Sequence, residues 1–182
     1  MIYETKTIKL KNDKDCLFRS PTEDDSLFMI DFLKQLSYET DYILTYPEEC
    51  TMSVMDETHY LKRINNDPKD IMIVCEIDGK IAGNCQISFK TKLKNKHRAL
   101  IAIGIRKAYW RMGIGSKMIE SLIFHAKKQG IEQLELEVIE SNQRAIGLYE
   151  KMGFEITSYI PNAIKLKDGR VLKEFYMVKK LI

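Results

Sequence analysis

The alternation of apolar and polar positions along the chain predicts an α/β domain. CLFRS indicates a short strand, and the segment from Thr22 to Leu36 places apolar residues at roughly helical spacing. MDETHYLKRINND predicts a second helix that ends before Pro68, since the residue before a proline disfavours helix. Three strands, a helix, a strand, a helix and two strands follow. This order predicts helices on both faces of one mixed sheet.

The segment IMIVCEIDGKIAGNCQISFK predicts a β-hairpin, because two strand-like runs meet at an Asp-Gly pair at 78–79. A two-residue turn there would place Cys75 opposite Ala82 and Cys85 opposite Met72, which argues against a disulfide between the two cysteines. The next run, HRALIAIGI, is apolar without alternation. It predicts a central strand that is buried on both faces.

Composition bounds the class of protein. With 182 residues, 45% hydrophobic and 30% charged, we expect one globular domain over residues 1–182. A net charge of +3 does not favour nucleic-acid binding, and no apolar run is long enough to span a membrane. Four cysteines without a C-x-x-C pair and the lack of a secretory signal predict a cytoplasmic protein with free thiols. The histidines are scattered, so we expect no metal site.

The glycine turn in AYWRMGIGSKMIE lies between the strand that ends near Ile105 and a helical pattern, GIGSKMIESLIFHAKKQG. A P-loop would need Lys before Ser or Thr, whereas the order here is Ser116-Lys117. A dinucleotide-binding fingerprint would need a third glycine where Met118 stands. Neither nucleotide motif is therefore complete.

The helix after this turn begins without a Ser, Thr, Asp or Asn cap, so its first N–H groups are available to an anion. Gly113 and Gly115 would let a pyrophosphate approach the backbone closely, and Arg111 adds positive charge. The alternative is an ordinary glycine turn with no ligand.

A second segment, SNQRAIGLYEKMGFE, predicts a short helix that carries Asn142 and Tyr149. Both side chains could point at a ligand. Alternatively, Asn142 is a helix cap and Tyr149 a core aromatic residue with a satisfied hydroxyl.

Together, the two segments resemble the GNAT superfamily of N-acetyltransferases over residues 71–160, and more weakly at LFRSPTEDD. The resemblance implies the GNAT fold: a single mixed, mostly antiparallel sheet of six to seven strands flanked by about four helices. It also implies a splayed acetyl-CoA cleft between the two central strands, at 98–106 and 133–139.

The resemblance assigns roles to particular residues. Tyr149 would protonate the leaving thiolate, Asn142 would touch the cofactor, and Ile103 and Ile105 would bond the pantetheine arm through their backbone. The pyrophosphate would be held by amides around Arg111, Met112, Gly113, Ile114, Gly115 and Ser116. The family usually has Gln or Arg where Trp110 stands, which leaves open which side chain contacts the phosphates.

The acceptor side is less defined. A general base must take the proton of an attacking ammonium, and Glu137, Glu140 and His97 are candidates, with Glu137 the one we assign. No Lys or Arg occurs between Lys34 and Lys62, where six carboxylates alternate with tyrosines. Such an acidic segment favours a cationic amine acceptor, such as a polyamine, an aminoglycoside or a protein amine. Its carboxylates are Glu39, Asp41, Glu48, Glu49, Asp56 and Glu57.

Three functions stay open at this point. The first is an acetyl-CoA-dependent N-acetyltransferase with an amine acceptor and no metal. The second is a non-catalytic acyl-CoA sensor of the same fold, which the lack of a glutamate in ALIAIGI favours. The third is a partner-binding domain whose glycine turn holds no ligand. A homodimer is compatible with each of them.

Overall fold

The computed structural model describes all 182 residues and contains one sheet of eight strands with four α-helices. The first half comprises β1 (Lys6–Lys9), β2 (Asp15–Arg19), α1 (Ser26–Glu39), α2 (Val54–Asn66), β3 (Asp70–Ile77) and β4 (Lys80–Phe89). The second half comprises β5 (Arg98–Ile105), α3 (Ile114–Lys128), β6 (Gln133–Ile139), α4 (Gln143–Lys151), β7 (Glu155–Lys165) and β8 (Val171–Lys180). None of the helices is both long and apolar enough to cross a bilayer.

The strands follow the order β1-β2-β3-β4-β5-β6-β8-β7, and every neighbouring pair is antiparallel except β5 and β6. The predicted mixed, mostly antiparallel sheet with about four helices is confirmed, but its predicted count of six to seven strands is low. β1 is the strand that the sequence did not indicate. Its sequence, KTIK, has only Ile8 partly buried, so it lacks the alternation that marks a strand.

Helices cover both faces of the sheet. A cluster of 26 buried residues joins α3 and α4 to one face, and a cluster of eight residues joins α1 and α2 to the other. β3 contributes to both clusters, because Ile73 points to the first and Val74 to the second.

β5 differs from its prediction. Ala99 and Ile101 are buried under α3, whereas Ala102 is exposed on the opposite face. The prediction that this strand is central is confirmed, but the prediction that it is buried on both faces is wrong. The apolar run reflects small and aliphatic side chains on a face that helices α1 and α2 leave partly open.

The hairpin at Asp78-Gly79 forms as predicted, but its register differs. A β-bulge between Cys75 and Glu76 shifts the pairing, so Cys75 lies opposite Gly83, and Cys85 lies opposite Ile73. The predicted pairings with Ala82 and Met72 are therefore wrong. All four cysteines are free thiols.

The two central strands pair over a short length only. β5 and β6 match from Arg98–Gln133 to Leu100–Glu135, and the remaining five residues of β5 have no partner in β6. The parallel pair therefore opens into a gap toward the C-terminal ends of both strands, as the predicted splayed cleft requires.

Candidate functional site

A cavity of about 390 Å³ lies where β5 and β6 separate. Leu36 and Thr40 line it from the α1 side of the sheet, and Leu148 and Tyr149 line it from the α4 side. Because the strands are parted there, the cavity is accessible from both faces of the sheet. A long ligand could thus lie in the gap and meet a second reactant from the other side.

The loop before α3 forms one wall of the cavity. The backbone N–H groups of residues 111–116 donate no hydrogen bond within the protein, and no side chain caps the helix at Gly113. Arg111 and Gly113 are left-handed, with φ of 64° and 91°. Consecutive free N–H groups at the positive end of a 15-residue helix make a site suited to a pyrophosphate.

The charge of the cavity agrees with this loop. Lys11, Arg111, Arg144 and Lys151 line it, and no Asp or Glu does. None of these four cations forms an ion pair with a carboxylate. An anionic ligand would therefore meet uncompensated positive charge.

Trp110 connects the loop to α4. Its indole Nε1 donates to the carbonyl oxygen of Ile105 at 2.8 Å. The Arg144 guanidinium lies 3.4 Å from the centre of its ring, a stacked cation–π contact. The residue that departs from the family pattern thus holds a cation at the cavity.

Tyr149 lies deeper in the cavity and is 8% exposed. Its hydroxyl makes no hydrogen bond within the protein, and its ring packs against Phe154 at 6.0 Å between centroids. Burial raises the pKa of Tyr149 to about 12. At neutral pH the hydroxyl is therefore protonated and available to donate.

Asn142 combines two of the predicted features. Its Oδ1 accepts a hydrogen bond from the Ala145 N–H at 3.2 Å, so the side chain caps α4. It also lines the cavity. The capping role is confirmed, and a contact with a cofactor stays a prediction.

The structure brings most of the predicted site residues together. Those that line the cavity are Ile103, Ile105, Arg111, Gly113, Ile114, Gly115, Ser116, Asn142 and Tyr149. Met112 does not line it, although its carbonyl accepts the Lys11 N–H at 3.1 Å. Lys11, Arg144 and Lys151 were missed. The latter two are spaced seven residues apart on one helix face, which could have indicated them. Lys11 lies a hundred residues before the loop and has no local signal.

Glu137 does not line the cavity and is exposed on the face of β6 opposite the buried side chains of its neighbours Leu136 and Val138. Neither it nor Glu174 on β8 has an ion-pair partner. Burial, together with the charge of Glu137, raises the pKa of Glu174. Two unpaired carboxylates thus interact on the face that α4 does not cover.

The other two base candidates lie in less suitable positions. Glu140 accepts the Lys173 N–H at 2.8 Å and pairs with the ammonium of the same residue. His97 precedes β5, at the end of the strand away from the glycine loop.

The acidic segment does not form a free acidic wall. Glu39 pairs with Arg106 at 2.9 Å, Asp41 pairs with Arg170 at 3.3 Å, and Glu48 pairs with Lys167. Glu49 accepts the Tyr46 N–H at 2.8 Å, and Asp56 accepts the Ser53 hydroxyl at 2.6 Å. The three cationic partners, Arg106, Arg170 and Lys167, come from distant parts of the chain, and local charge counting could not reveal them. The segment itself therefore gives little support to a cationic acceptor.

Fold and site together combine a parted sheet with a cavity that is lined by free amides and unpaired cations. The chain belongs to the acetyltransferase (GNAT) family, whose model matches residues 36–154.

Solved structures and curated relatives agree with this family. The chain superimposes on an acetyltransferase of the GNAT family from Streptococcus pneumoniae with a TM-score of 0.84 and 28% identity, covering 91% of this chain and 99% of that one. The fold also matches yncA from Salmonella typhimurium, solved with its cofactor acetyl-CoA, at a TM-score of 0.78 and 18% identity over 93% and 95% of the two chains. The [ribosomal protein bS18]-alanine N-acetyltransferase of Escherichia coli is 39% identical over 71 residues. That match spans 39% of this chain and only 48% of the relative.

Proposed function

We propose that the protein is an acetyl-CoA-dependent N-acetyltransferase that acetylates a primary amine of a small cationic molecule or a protein. One arrangement carries the proposal: a single cavity joins five residues with free backbone N–H groups, four unpaired cations and an unpartnered, protonated tyrosine. Binding of CoA requires recognition of its anionic phosphates, and release of the thiolate from its thioester requires a proton donor.

Acetyl-CoA fits the residues that are present. Amides of residues 111–116 would hold the pyrophosphate, and Asn142 would contact the cofactor. The pantetheine arm would follow the unpaired end of β5, where Ile103 and Ile105 offer backbone groups. Glycine at position 115 allows α3 and α4 to approach closely beside this part of the cavity, because a Cβ there would lie 2.7 Å from Leu148 Cδ2.

The chemistry is direct attack of the amine on the thioester carbonyl. A C–N bond forms, the C–S bond breaks, and the thiolate takes the hydroxyl proton of Tyr149. The second proton of the attacking nitrogen passes to solvent water, and water reprotonates the Tyr149 oxygen. Glu137 takes the proton from the acceptor ammonium on the other face of the sheet, with Glu174 beside it. The two proton transfers thus occur on opposite sides of the gap.

The acceptor class has two sources of support. Glu137 and Glu174 have no ion-pair partner, and they offer negative charge to an ammonium on the face that the acceptor would use. The similarity to the bS18-alanine N-acetyltransferase adds peptides with an N-terminal alanine as a class to be tested.

The test follows thiol release from acetyl-CoA with polyamines, aminoglycosides, amino acids and alanine-terminated peptides. We expect acceptor-dependent release, and a kcat about 100-fold lower in Tyr149→Phe, because general acid catalysis contributes about 10²–10⁴-fold. Tyr159→Phe is the matched control, since Tyr159 is an exposed tyrosine on β7 outside the cavity. Unchanged turnover in Tyr149→Phe would remove the assigned acid role.

Glu137→Gln tests the base separately. We expect a lower kcat with unchanged affinity for acetyl-CoA, and Glu140→Gln serves as the control because its carboxylate is already paired. Equal kcat values in Glu137→Gln and the wild type would exclude Glu137 as the base.

A non-catalytic acyl-CoA sensor is the second candidate. It is favoured by one observation, that Glu137 lies outside the cavity. Tight binding of acetyl-CoA in calorimetry, with no thiol release for any acceptor in the panel, would favour the sensor over the enzyme.

A further inference from the structure

We propose that Arg144, held in place by Trp110, is the side chain that binds a phosphate group of acetyl-CoA. The inference rests on the proposed function and assigns a specific residue of the same site. It answers the question raised by Trp110, which stands where the family usually has a phosphate-binding Gln or Arg.

The contact between Trp110 and Arg144 fixes the cation before any ligand arrives. The indole is itself anchored, because its Nε1 bonds the Ile105 carbonyl at 2.8 Å. The guanidinium carbon lies 3.4 Å from the ring centre, and Arg144 belongs to the first turn of α4. A long side chain that is already ordered loses less conformational entropy on binding.

Stacking leaves the binding capacity of Arg144 intact. It occupies the flat face of the guanidinium, whereas the N–H donors lie at its edge and fit a phosphate as a fork. None of these donors bonds to the protein, and no carboxylate lies within ion-pair distance. The edge of the guanidinium is therefore free toward the cavity.

Arg111, the arginine next to Trp110, has no comparable support. Both side chains are exposed and without hydrogen bonds, but that of Arg111 has no aromatic neighbour within cation–π distance to order it. Its N–H belongs to the run of free loop amides. We therefore assign Arg111 a backbone contribution and Arg144 the side-chain contact.

The first experiment measures the Kd of acetyl-CoA by calorimetry at low ionic strength for the wild type and Arg144→Gln. We expect Arg144→Gln to bind at least about tenfold more weakly, as loss of a charge-assisted hydrogen bond predicts. Arg63→Gln is the matched control, because Arg63 also stacks on an aromatic ring, Tyr60 at 5.2 Å, but lies outside the cavity. Its Kd should equal that of the wild type.

Trp110 is tested through coupling. Trp110→Leu should weaken binding several-fold in the wild type and add little in Arg144→Gln, because its contribution acts through the arginine. Trp110→Phe retains a ring for stacking and should recover part of the affinity. If the losses of acetyl-CoA binding free energy in Trp110→Leu and Arg144→Gln add fully in the double variant, the positioning role of Trp110 is overturned.

Truncated ligands locate the contact. The loss of affinity in Arg144→Gln relative to the wild type should vanish with acetylpantetheine, which has no adenosine phosphates. Loss of the deficit with 3′-dephospho-CoA would assign the 3′-phosphate, and its persistence would assign the pyrophosphate. An equal deficit with acetylpantetheine, or a wild-type Kd in folded Arg144→Gln, would overturn the inference alone. Failure of the wild type to bind acetyl-CoA would overturn the proposed function with it.

Discussion

The two ends of the β5–β6 pair differ in how their polar groups are satisfied. At the paired end, the carboxylate of Glu135 is 1% exposed and accepts hydrogen bonds from Arg98, Tyr176 and Gln133. At the parted end, loop amides, cations and the Tyr149 hydroxyl have no partner in the protein.

The paired end shows what a structural polar cluster looks like. Burial by itself would raise the pKa of Glu135, but the hydrogen bonds from Arg98, Tyr176 and Gln133 outweigh it and hold that pKa below its ordinary value. The cluster links β5, β6 and β8 at the point where the gap begins. Its role is to hold the strands together.

The parted end has the opposite character. Its four cations are exposed and have no carboxylate partner, so together with the unbonded loop amides they make a site suited to an anionic ligand. The polar groups at the paired end of β5 and β6 are satisfied and stabilise the sheet, whereas those around the parted end, on the loop before α3 and on α4, are left free for a ligand. Two substitutions test this difference, and a third tests a buried, unpaired carboxylate elsewhere in the molecule, on α2.

Arg98→Met should have the largest effect on stability. It leaves Glu135 buried without its cation, but Arg98 is itself 35% exposed, and Tyr176 and Gln133 still donate to the carboxylate. We therefore expect a loss of about 2–3 kcal/mol of unfolding free energy, less than for a fully buried pair. Urea denaturation would measure the loss, and Lys117→Met, which breaks the exposed pair with Glu120, should cost less than about 1 kcal/mol.

The same substitution carries a pH signature. A carboxyl whose folded pKa is depressed adds stability above its unfolded value of 4.5, and this stability is lost as pH falls through the folded value. The difference in unfolding free energy between the wild type and Arg98→Met should therefore become smaller as the pH falls. A pH-independent gap would contradict an ionic role for Glu135.

Gly113→Ala should affect both stability and binding. Its φ of 91° is left-handed, so a Cβ costs about 1–2 kcal/mol. Gly130→Ala, at the other end of α3 with a φ of 70°, should cost a similar amount. Calorimetry should show weaker acetyl-CoA binding for Gly113→Ala only. Equal affinities in the two variants would argue against the loop as the phosphate site.

Glu57→Gln should have the smallest effect, and it should be stabilising. Glu57 is 1% exposed, its Oε1 has no partner, and burial raises its pKa. Glutamine keeps the shape of the side chain but removes the charge that burial disfavours, so we expect a gain of about 1 kcal/mol at pH 7.

The difference in unfolding free energy between variant and wild type is negative for Arg98→Met and positive for Glu57→Gln. On acidification the first rises toward zero and the second falls toward zero. A raised folded pKa gives stability that is complete below the unfolded value of 4.5 and lost as pH rises through the folded value. The advantage of Glu57→Gln should thus shrink toward pH 4.5 in thermal melts. An advantage that does not change with pH would show that folding leaves the pKa of Glu57 unshifted.

Much of the site was readable from local sequence. The turn that holds Gly113 and Gly115, the stripe of α3, and Asn142 and Tyr149 on α4 all lie within segments whose periodicity and caps are local properties. Periodicity indicates which side of an element is buried, and glycine indicates a turn or a close approach. These signals were sufficient for the α/β class, whereas the resemblance to the GNAT superfamily supplied most of the residues of the cavity wall.

Only the tertiary structure decided which distant groups share space. It placed Lys11 against the glycine loop, paired Asp41 with Arg170, and put Arg144 on Trp110. It also showed that the edge strand β1 exists and that the bulge at Cys75 shifts the hairpin register. A sequence records the charge and shape of each residue, but compensation between charges depends on distances that only the folded chain sets.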